Sequence, residues 1–485
     1  MDTMQVGMHR RMALVVLLAA TFMGILDVLI VNVAAPSIQR DLGASFGDIQ
    51  LVISGYVLAY AVALTSGGRL GDSLGKKEVF LAGLLAFVVC SAGCALAPSV
   101  GVLIGLRVAQ GFAAAVMLPQ VLSIIQDVFP PDRRPRALAL YGGTIGMGAA
   151  VGQIVGGALI HADVLGLGWR SVFWVNMPIG LAAAACVPFV LPKTGAMRRP
   201  ADIQGLVLTA VAMTLLVYPL VRGSDDGWPW WVWPAFAGSA LSLVGLWSVE
   251  RGREKAGRAP LITPSLFRDR GFTTGLGAAL VFYSGNYGLF LLLAYVFQEG
   301  LHLSPLASGV GFLPLGLGFA GASLAGRRFA VRRGNAVLKV GAVTMAMGYL
   351  VLIVTLAPAP SASPHAEALV MAPALLIAGV GQGLVAAPLI GVILATVPPP
   401  EAGAASGVVL TVNQLASSLG VAVFGALFVA LLGVDPQQRS AHLTGRDFTA
   451  ALMGCAWALF ALAGATGLLA WRLPSRSQPA VGTSR

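Results

Sequence analysis

Residues 24–38 read GILDVLIVNVAAPSI, and Asp27 is the only charged residue between Met12 and Gln39. An apolar run of that length matches the about 20 residues a helix needs to cross a hydrocarbon core. A carboxylate near its middle costs at least about 2.5–3.5 kcal/mol on insertion scales. A position that merely filled space would carry an apolar side chain. The stretch therefore predicts a membrane-spanning helix whose acid faces protein or water rather than lipid.

The rest of the chain repeats this pattern. Its 485 residues are 57% hydrophobic and only 11% charged, with a mean hydropathy of +0.83. Soluble domains carry about a quarter charged residues, so a water-soluble globular protein is excluded. Apolar runs place about fourteen helices along the chain. They lie near residues 12–36, 50–70, 79–97, 101–125, 138–160, 172–191 and 204–221. The second set lies near 230–249, 272–297, 305–325, 337–357, 367–397, 403–432 and 449–471. Alternating strand patterns are missing, which argues against a β-barrel. The expected fold class is an all-α polytopic membrane protein. The first run is too long for the core of a signal peptide and lacks a small-residue cleavage site, so it is read as the first helix.

Charge orders these helices. Of the 31 Lys and Arg residues, Arg107 lies inside a helix, and one alternate set of connections holds only Arg40, Arg170, Arg222, Arg439 and Arg446. All the others fall in the remaining segments, which include Arg10, Lys76, Lys77, Lys193, Arg198, Arg199, Arg258, Arg476 and Arg485. Basic loops favour the cytoplasm, so both termini are expected there. The net charge of +11 then reflects membrane orientation and contact with anionic lipid, and no nucleic-acid partner is expected.

Several function classes lose support. No GxxxxGK[ST] sequence occurs, and the longest polar connection, Glu250 to Arg270, is too short for a nucleotide-binding domain. Transport must then draw on an ion gradient, a solute gradient or a separate subunit. Cys90 and Cys94 share one apolar run, and Cys186 and Cys455 lie in others, a pattern that fits packing rather than a disulfide frame. The five histidines are scattered. No cofactor and no metal site are expected, and a membrane enzyme would need clustered acids, His or Cys that are not found.

Four regions carry chemistry. GGRLGDSLGKK begins at Gly67, and a weaker echo, GRRFAVRRGN, begins at Gly326. Gly68 and Gly75 allow a tight turn, Asp72 offers a fixed anion, and Lys76 and Lys77 offer cations. Such a charged hinge can latch two helix bundles in one state. LIGLRVAQGFAAA, residues 103–115, puts Arg107 inside an apolar helix, one turn before Gln110. A buried guanidinium needs a partner or water, and bonding a carbonyl between helices is its plainer role. GTIGMGAAVGQIVGG, residues 143–157, spaces Gly148, Gly152 and Gly156 four apart, which permits close helix contact. On the ninth helix, Tyr283, Tyr287, Phe290 and Phe297 fall on one face with Gln298 alongside. That face suits either a large amphipathic ligand or core packing. Asn32, Gln153, Gln382, Asn413 and Gln414 are further polar groups expected to face protein or a cavity.

These stretches, in this order, resemble the major facilitator superfamily. Gly68, Leu70, Asp72, Gly75, Lys76 and Lys77 match its loop between the second and third helices, with Ser73 in place of the usual Arg. Arg107 matches a fourth-helix motif associated with proton coupling. The fifth-helix glycines match the antiporter motif, with Gln153 in place of its Pro. LDVLIVNVAAP (26–36), GWRSVFWVNMPIG (168–180) and APLITPSLFRDRGF (259–272) resemble the fourteen-helix drug:proton antiporters, with Leu29 and Ala35 as departures in the first.

The resemblance covers residues from about 20 to 420. It implies two six-helix bundles, residues 12–193 and 259–471, with two additional helices and linkers in 194–258. Residues 1–11 and 472–485 would be cytoplasmic ends. The implied function is proton-coupled efflux of amphipathic drugs or antibiotics by alternating access. Its partners would be a small amphipathic substrate, protons and the lipid bilayer, and the chain would act as a monomer. An exporter of the same fold, dedicated to one natural metabolite or lipid-like product, remains open. Asp27 and Arg107 are the proton-coupling candidates; attraction of a cationic substrate, or a static hydrogen bond inside the bundle, would also account for Asp27. Gly68, Asp72, Gly75, Lys76 and Lys77 form the latch. Asn32, Gln110, Gln153, Tyr283, Tyr287, Phe290, Gln382, Asn413 and Gln414 are the cavity candidates.

Overall fold

A computed structural model describes residues 3–130, 132–192, 202–257, 260, 263–357, 363–398, 401–433 and 443–473. Lys193, Arg198, Arg199, Arg258, Arg439, Arg476, Arg485 and most of the expected tail 472–485 lie outside the described residues.

With no water at the bilayer centre, each backbone N–H and C=O must be satisfied within its own segment, and a helix does this. The first half holds α1 (Thr3–Leu42), α2 (Phe46–Leu74), α3 (Lys76–Ala95), α4 (Val100–Val128), α5 (Arg134–Ala162), α6 (Ser171–Trp174) and α7 (Asn176–Val190). Next come α8 (Ile203–Asp225) and α9 (Val232–Lys255). The second half holds α10 (Arg270–Tyr295), α11 (Pro305–Gly311), α12 (Leu313–Arg333), α13 (Ala336–Leu356), α14 (Pro364–Leu394), α15 (Ala402–Leu432) and α16 (Gly445–Arg472). Among the described residues, thirteen helical units are long and apolar enough to cross a membrane. The 29-residue α5, apolar over Val151–Ala162, brings the set to the expected fourteen.

Helix ends overrun the expected bounds because polar turns extend a helix past the hydrocarbon. Local signals stop them. Ser45 and Asp48 form a reciprocal cap at the start of α2, with both bonds at 3.0 Å. Gly75, at φ +101°, is the whole connection between α2 and α3. Gly334, at φ +56°, lies at the corresponding turn between α12 and α13. Each lies eight positions after the first glycine of its loop sequence, Gly67 and Gly326. Two spans are broken. Pro178 has no N–H to continue α6 into α7, and Pro314 sits just after the break at Phe312 between α11 and α12.

The end of the bundle where α1 begins is called proximal, and the end where α1 finishes, distal. The proximal first half has its own core around Leu17, Phe80, Phe87, Met117 and Val187. A larger core fills the second half and continues at the distal end into Ile30, Ile38, Ile49 and Ile53 of α1 and α2. The two halves therefore share apolar packing distally. Polar groups close the same seam. Gln298 Nε2 donates to the Val33 carbonyl at 2.9 Å, and Tyr295 Oη to Gln39 Oε1 at 2.8 Å. Tyr295 also meets Phe46 edge-on, with ring centroids 4.7 Å apart.

The two additional helices lie against the α2–α15 side. Val217 and Val221 of α8 pack with Leu51 of α2 and Ala422 of α15. Arg222 Nη2 lies 2.6 Å from Asp48 Oδ1 on α2. Ser239 of α9 donates to the Ala212 carbonyl of α8 at 2.8 Å, and Arg253 pairs with Asp202 at 2.7 Å.

Candidate functional site

Asp27 does not face the seam between the halves. It lies wholly inside the first half, with no exposed surface. Its Oδ2 accepts from Arg107 Nη1 at 2.5 Å. Its Oδ1 accepts from Gln110 Nε2 at 3.0 Å and from Asn176 Nδ2 at 2.8 Å. Arg107 is also buried; Nε donates to the Val52 carbonyl at 3.2 Å, and Nη1 to Gln110 Oε1 at 2.8 Å. The guanidinium carbon lies 4.3 Å from the Tyr56 ring centroid and 5.7 Å from that of Phe173. Asn176 continues the network to Ser91 Oγ at 2.9 Å, and Ser91 donates to the Phe173 carbonyl at 3.0 Å.

This cluster joins α1, α2, α3, α4, α6 and α7. Local sequence explains the approach. Gly111 puts bare backbone against α2, so that a Cβ there would sit 2.3 Å from the Tyr56 carbonyl. Arg107, one turn earlier, is thereby drawn toward α1 and α2. The charges cancel within the cluster, which offsets the cost of burying each alone. Such a group can hold a proton only by rearranging its ion pair, which is the chemistry a coupling site requires.

Sequence reasoning named Asp27, Arg107 and Gln110 but not Asn176, Ser91 or Tyr56. Asn176 was detectable as the one amide in the apolar stretch after Trp174. The second half has a sequence echo, VGQGLVAA at 380–387 against VAQGFAAA at 108–115. There Gln382 Nε2 donates to Tyr349 Oη at 3.1 Å, and no buried ion pair occurs among the described residues of that half. Gln382 thus packs inside the second half, between α13 and α14, rather than presenting its amide to the seam.

The loop residues separate by role. Gly75 alone has a positive φ in that loop. The close approach comes from Gly67 and Gly71 rather than Gly68: a Cβ on Gly67 would lie 2.1 Å from the Ala115 carbonyl, and one on Gly71 1.9 Å from Gln120 Oε1. Gly68 meets only Pro119, at 3.9 Å. Lys76 Nζ lies 2.7 Å from Asp127 Oδ2 at the end of α4, and Lys77 Nζ donates to the Pro188 carbonyl at 2.8 Å. Arg69 donates to the carbonyl of Pro260, in the connection to the second half. Asp72 is half-buried and has no ion-pair or hydrogen-bond partner among the described residues.

On α5, Gly148, Gly152 and Gly156 pack against Ile25, Leu26, Leu29 and Ile30 of α1. The neighbouring Gly157 faces the other half instead. A Cβ there would sit 2.3 Å from the Pro305 carbonyl, and one on Gly309 would sit 2.6 Å from the Gln153 carbonyl. This reciprocal pair lies on the seam between α5 and α11. Gln153 is buried, and neither of its amide atoms has a partner among the described residues.

The aromatic face of α10 divides. Tyr283 is buried, with its hydroxyl 3.4 Å from the Ala386 carbonyl. Phe297 falls in a π-helical turn, Val296–Gly300, and packs fully buried against Phe312. Both belong to the core rather than to an open face. Phe290 stacks on Phe312 at 5.7 Å, and Tyr287 stays partly exposed beside it on the helix. Gln414 is likewise partly exposed, whereas Asn413 Oδ1 is buried without a partner among the described residues. Asn32 is buried and donates to the Leu29 carbonyl of its own helix at 3.1 Å.

Comparisons with known proteins agree with this architecture. Residues 17–421 match the family model of the Major Facilitator Superfamily. The chain is 40% identical over 427 residues to a probable actinorhodin transporter of Streptomyces coelicolor, covering 88% of this chain and 73% of that protein. It is 36% identical to the puromycin resistance protein pur8 of Streptomyces alboniger, covering 86% and 82%. It is 32% identical to the tetracenomycin C resistance and export protein of Streptomyces glaucescens, covering 84% and 74%. Among solved structures, an inward-facing bacterial homologue of the human lysosomal transporter Spinster shares the fold. Its TM-score is 0.68 at 17% identity, with 97% of this chain and 99% of that chain covered. The helices, the order of the motifs and these relatives converge: the chain is a multi-pass membrane transporter, not an enzyme, and belongs to the Major Facilitator Superfamily.

Proposed function

We propose that the protein exports amphipathic small molecules, antibiotics among them, in exchange for protons. The observation that carries the reading is the fully buried Asp27–Arg107 pair, in a chain whose relatives are named for antibiotic export and resistance. Asp27 is the proton site and Arg107 its counter-charge. The halves, residues 12–193 and 259–471, rock about the seam between them, and Tyr287, Phe290 and Gln414 contribute to the substrate path. The loop from Gly68 to Lys77 latches the halves in one state. Both termini are cytoplasmic, on the charge asymmetry of the loops, and the working unit is a monomer.

The test is accumulation of dyes and antibiotics in cells lacking their own pumps, with and without a proton uncoupler. Expression should lower accumulation, and the uncoupler should restore it. Accumulation that stays low with the uncoupler present would sink the proton coupling. Cysteines at Ser224 and at Ser361, the latter outside the described residues, should be labelled from outside the cell. Labelling of either from the cytoplasmic side alone would reverse the orientation.

A further inference from the structure

Asn176 is fully buried, and its hydrogen bonding is one-sided. Nδ2 uses both hydrogens, one toward Asp27 Oδ1 at 2.8 Å and one toward Ser91 Oγ at 2.9 Å. Its Oδ1 has no partner among the described residues. A buried carbonyl oxygen left bare is costly, so this amide has an acceptor to spare for a donor that the ionised Asp27 lacks.

Protonation would supply one. It turns a carboxylate oxygen from acceptor into donor. Asp27 Oδ2 is held by the Arg107 guanidinium, which can only donate, so the proton belongs on Oδ1. Around Oδ1, Gln110 Oε1 already accepts from Arg107 at 2.8 Å. The Ser91 hydroxyl donates to the Phe173 carbonyl. The unused acceptor is Asn176 Oδ1.

We propose that Asn176 is the positioning residue that lets the Asp27 site stand in both protonation states. Nδ2 donates to the carboxylate; after a half-turn of the amide, Oδ1 accepts from the protonated carboxyl. The inference rests on the reading of Asp27 as the proton site. One proton passes from water to Asp27 Oδ1 and later returns to water, and no bond between heavy atoms changes. After the half-turn the Ser91 hydroxyl can swing from the Phe173 carbonyl to Asn176 Oδ1. The ionisable groups facing Asp27 are Arg107 from α4, Tyr56 from α2 and Cys94 from α3. No ionisable residue of α5, α6 or α7 lies within hydrogen-bond or ion-pair distance of it among the described residues.

The test is infrared difference spectroscopy of the full-length protein in liposomes across a pH titration, with transport measured in parallel. The carboxyl band of protonated Asp27 is identified by its loss in Asp27→Asn. In Asn176→Leu, which keeps the branched outline and removes both hydrogen-bonding roles, the band should move to higher frequency and transport should slow several-fold. A band that stays in place while only the pH midpoint of transport rises would mean that Asn176 serves the carboxylate alone, and would overturn the proposal. If Asn176→Leu does not fold, Asn176→Ser is read the same way, because a serine hydroxyl is too short to bridge both partners. Absence of any titrating band lost in Asp27→Asn removes the proton-site reading and this inference with it. An unmoved band in the Asn176 variants removes the inference alone.

Discussion

Arg107 Nη1 lies 2.5 Å from Asp27 Oδ2, and neither side chain reaches solvent. The pair ties the first membrane helix to the fourth at the centre of one half. Stability and function should therefore respond differently when each charge is removed.

Arg107→Met leaves a buried carboxylate without its counter-charge. Breaking a buried pair in this way costs about 3–5 kcal/mol, so the melting temperature in detergent should fall sharply. The double variant Asp27→Asn with Arg107→Met should recover most of that loss and still fail to transport. A single variant as stable as the wild type would mean that water replaces the guanidinium.

Asp27→Asn keeps shape and hydrogen-bonding capacity while removing titration. In proteoliposomes under an imposed pH gradient, uphill efflux of every substrate should be abolished while substrate binding stays measurable. Loss confined to cationic compounds would instead assign Asp27 to direct substrate attraction. Full uphill efflux by the variant would show that the essential coupling site is elsewhere.

Asp72→Asn should slow transport with little change in melting temperature. Asp72 is half-buried and has no partner of its own among the described residues, whereas the neighbouring Lys76 pairs with Asp127. The Asp72 charge should matter in the alternate arrangement of the halves and shift the balance between them. A wild-type rate at every substrate concentration would end the latch assignment.

Gly157→Ala places a methyl 2.3 Å from the Pro305 carbonyl. That contact cannot survive distal closure of the seam. A cysteine at Tyr295, which meets Gln39 there at 2.8 Å, should become more reactive toward a polar thiol reagent when Gly157→Ala is added. Equal labelling with and without the substitution would show that α5 and α11 yield without opening the seam.

Much of this was legible in the sequence, for physical reasons. Apolar run length marks spans, so helix count and approximate positions could be read directly. Asp27 stood out because charge is costly in hydrocarbon, but its partner lies 80 positions away and helix rotation decides who meets it. Tyr283 and Phe297 share a helical spacing with Tyr287 and Phe290, yet the π-helical turn and the packing of α14 take them into the core. Gly68 fits the loop pattern, while close packing falls to Gly67 and Gly71. A sequence shows where bare backbone is available, not which neighbouring helix comes to use it.

Because Asp27 and Arg107 cancel each other, the first half carries no net charge at its centre while the pair is intact. Adding a proton to Asp27 leaves the guanidinium charge uncompensated there. A unit charge crossing a full 100 mV of membrane potential changes energy by about 2.3 kcal/mol. With Asp27 as the proton site, the electrical component of the gradient, and not only its pH component, would act on the protonated protein and leave the unprotonated centre nearly untouched. If protons couple through this pair, the conformational cycle is voltage-sensitive in one half-cycle only.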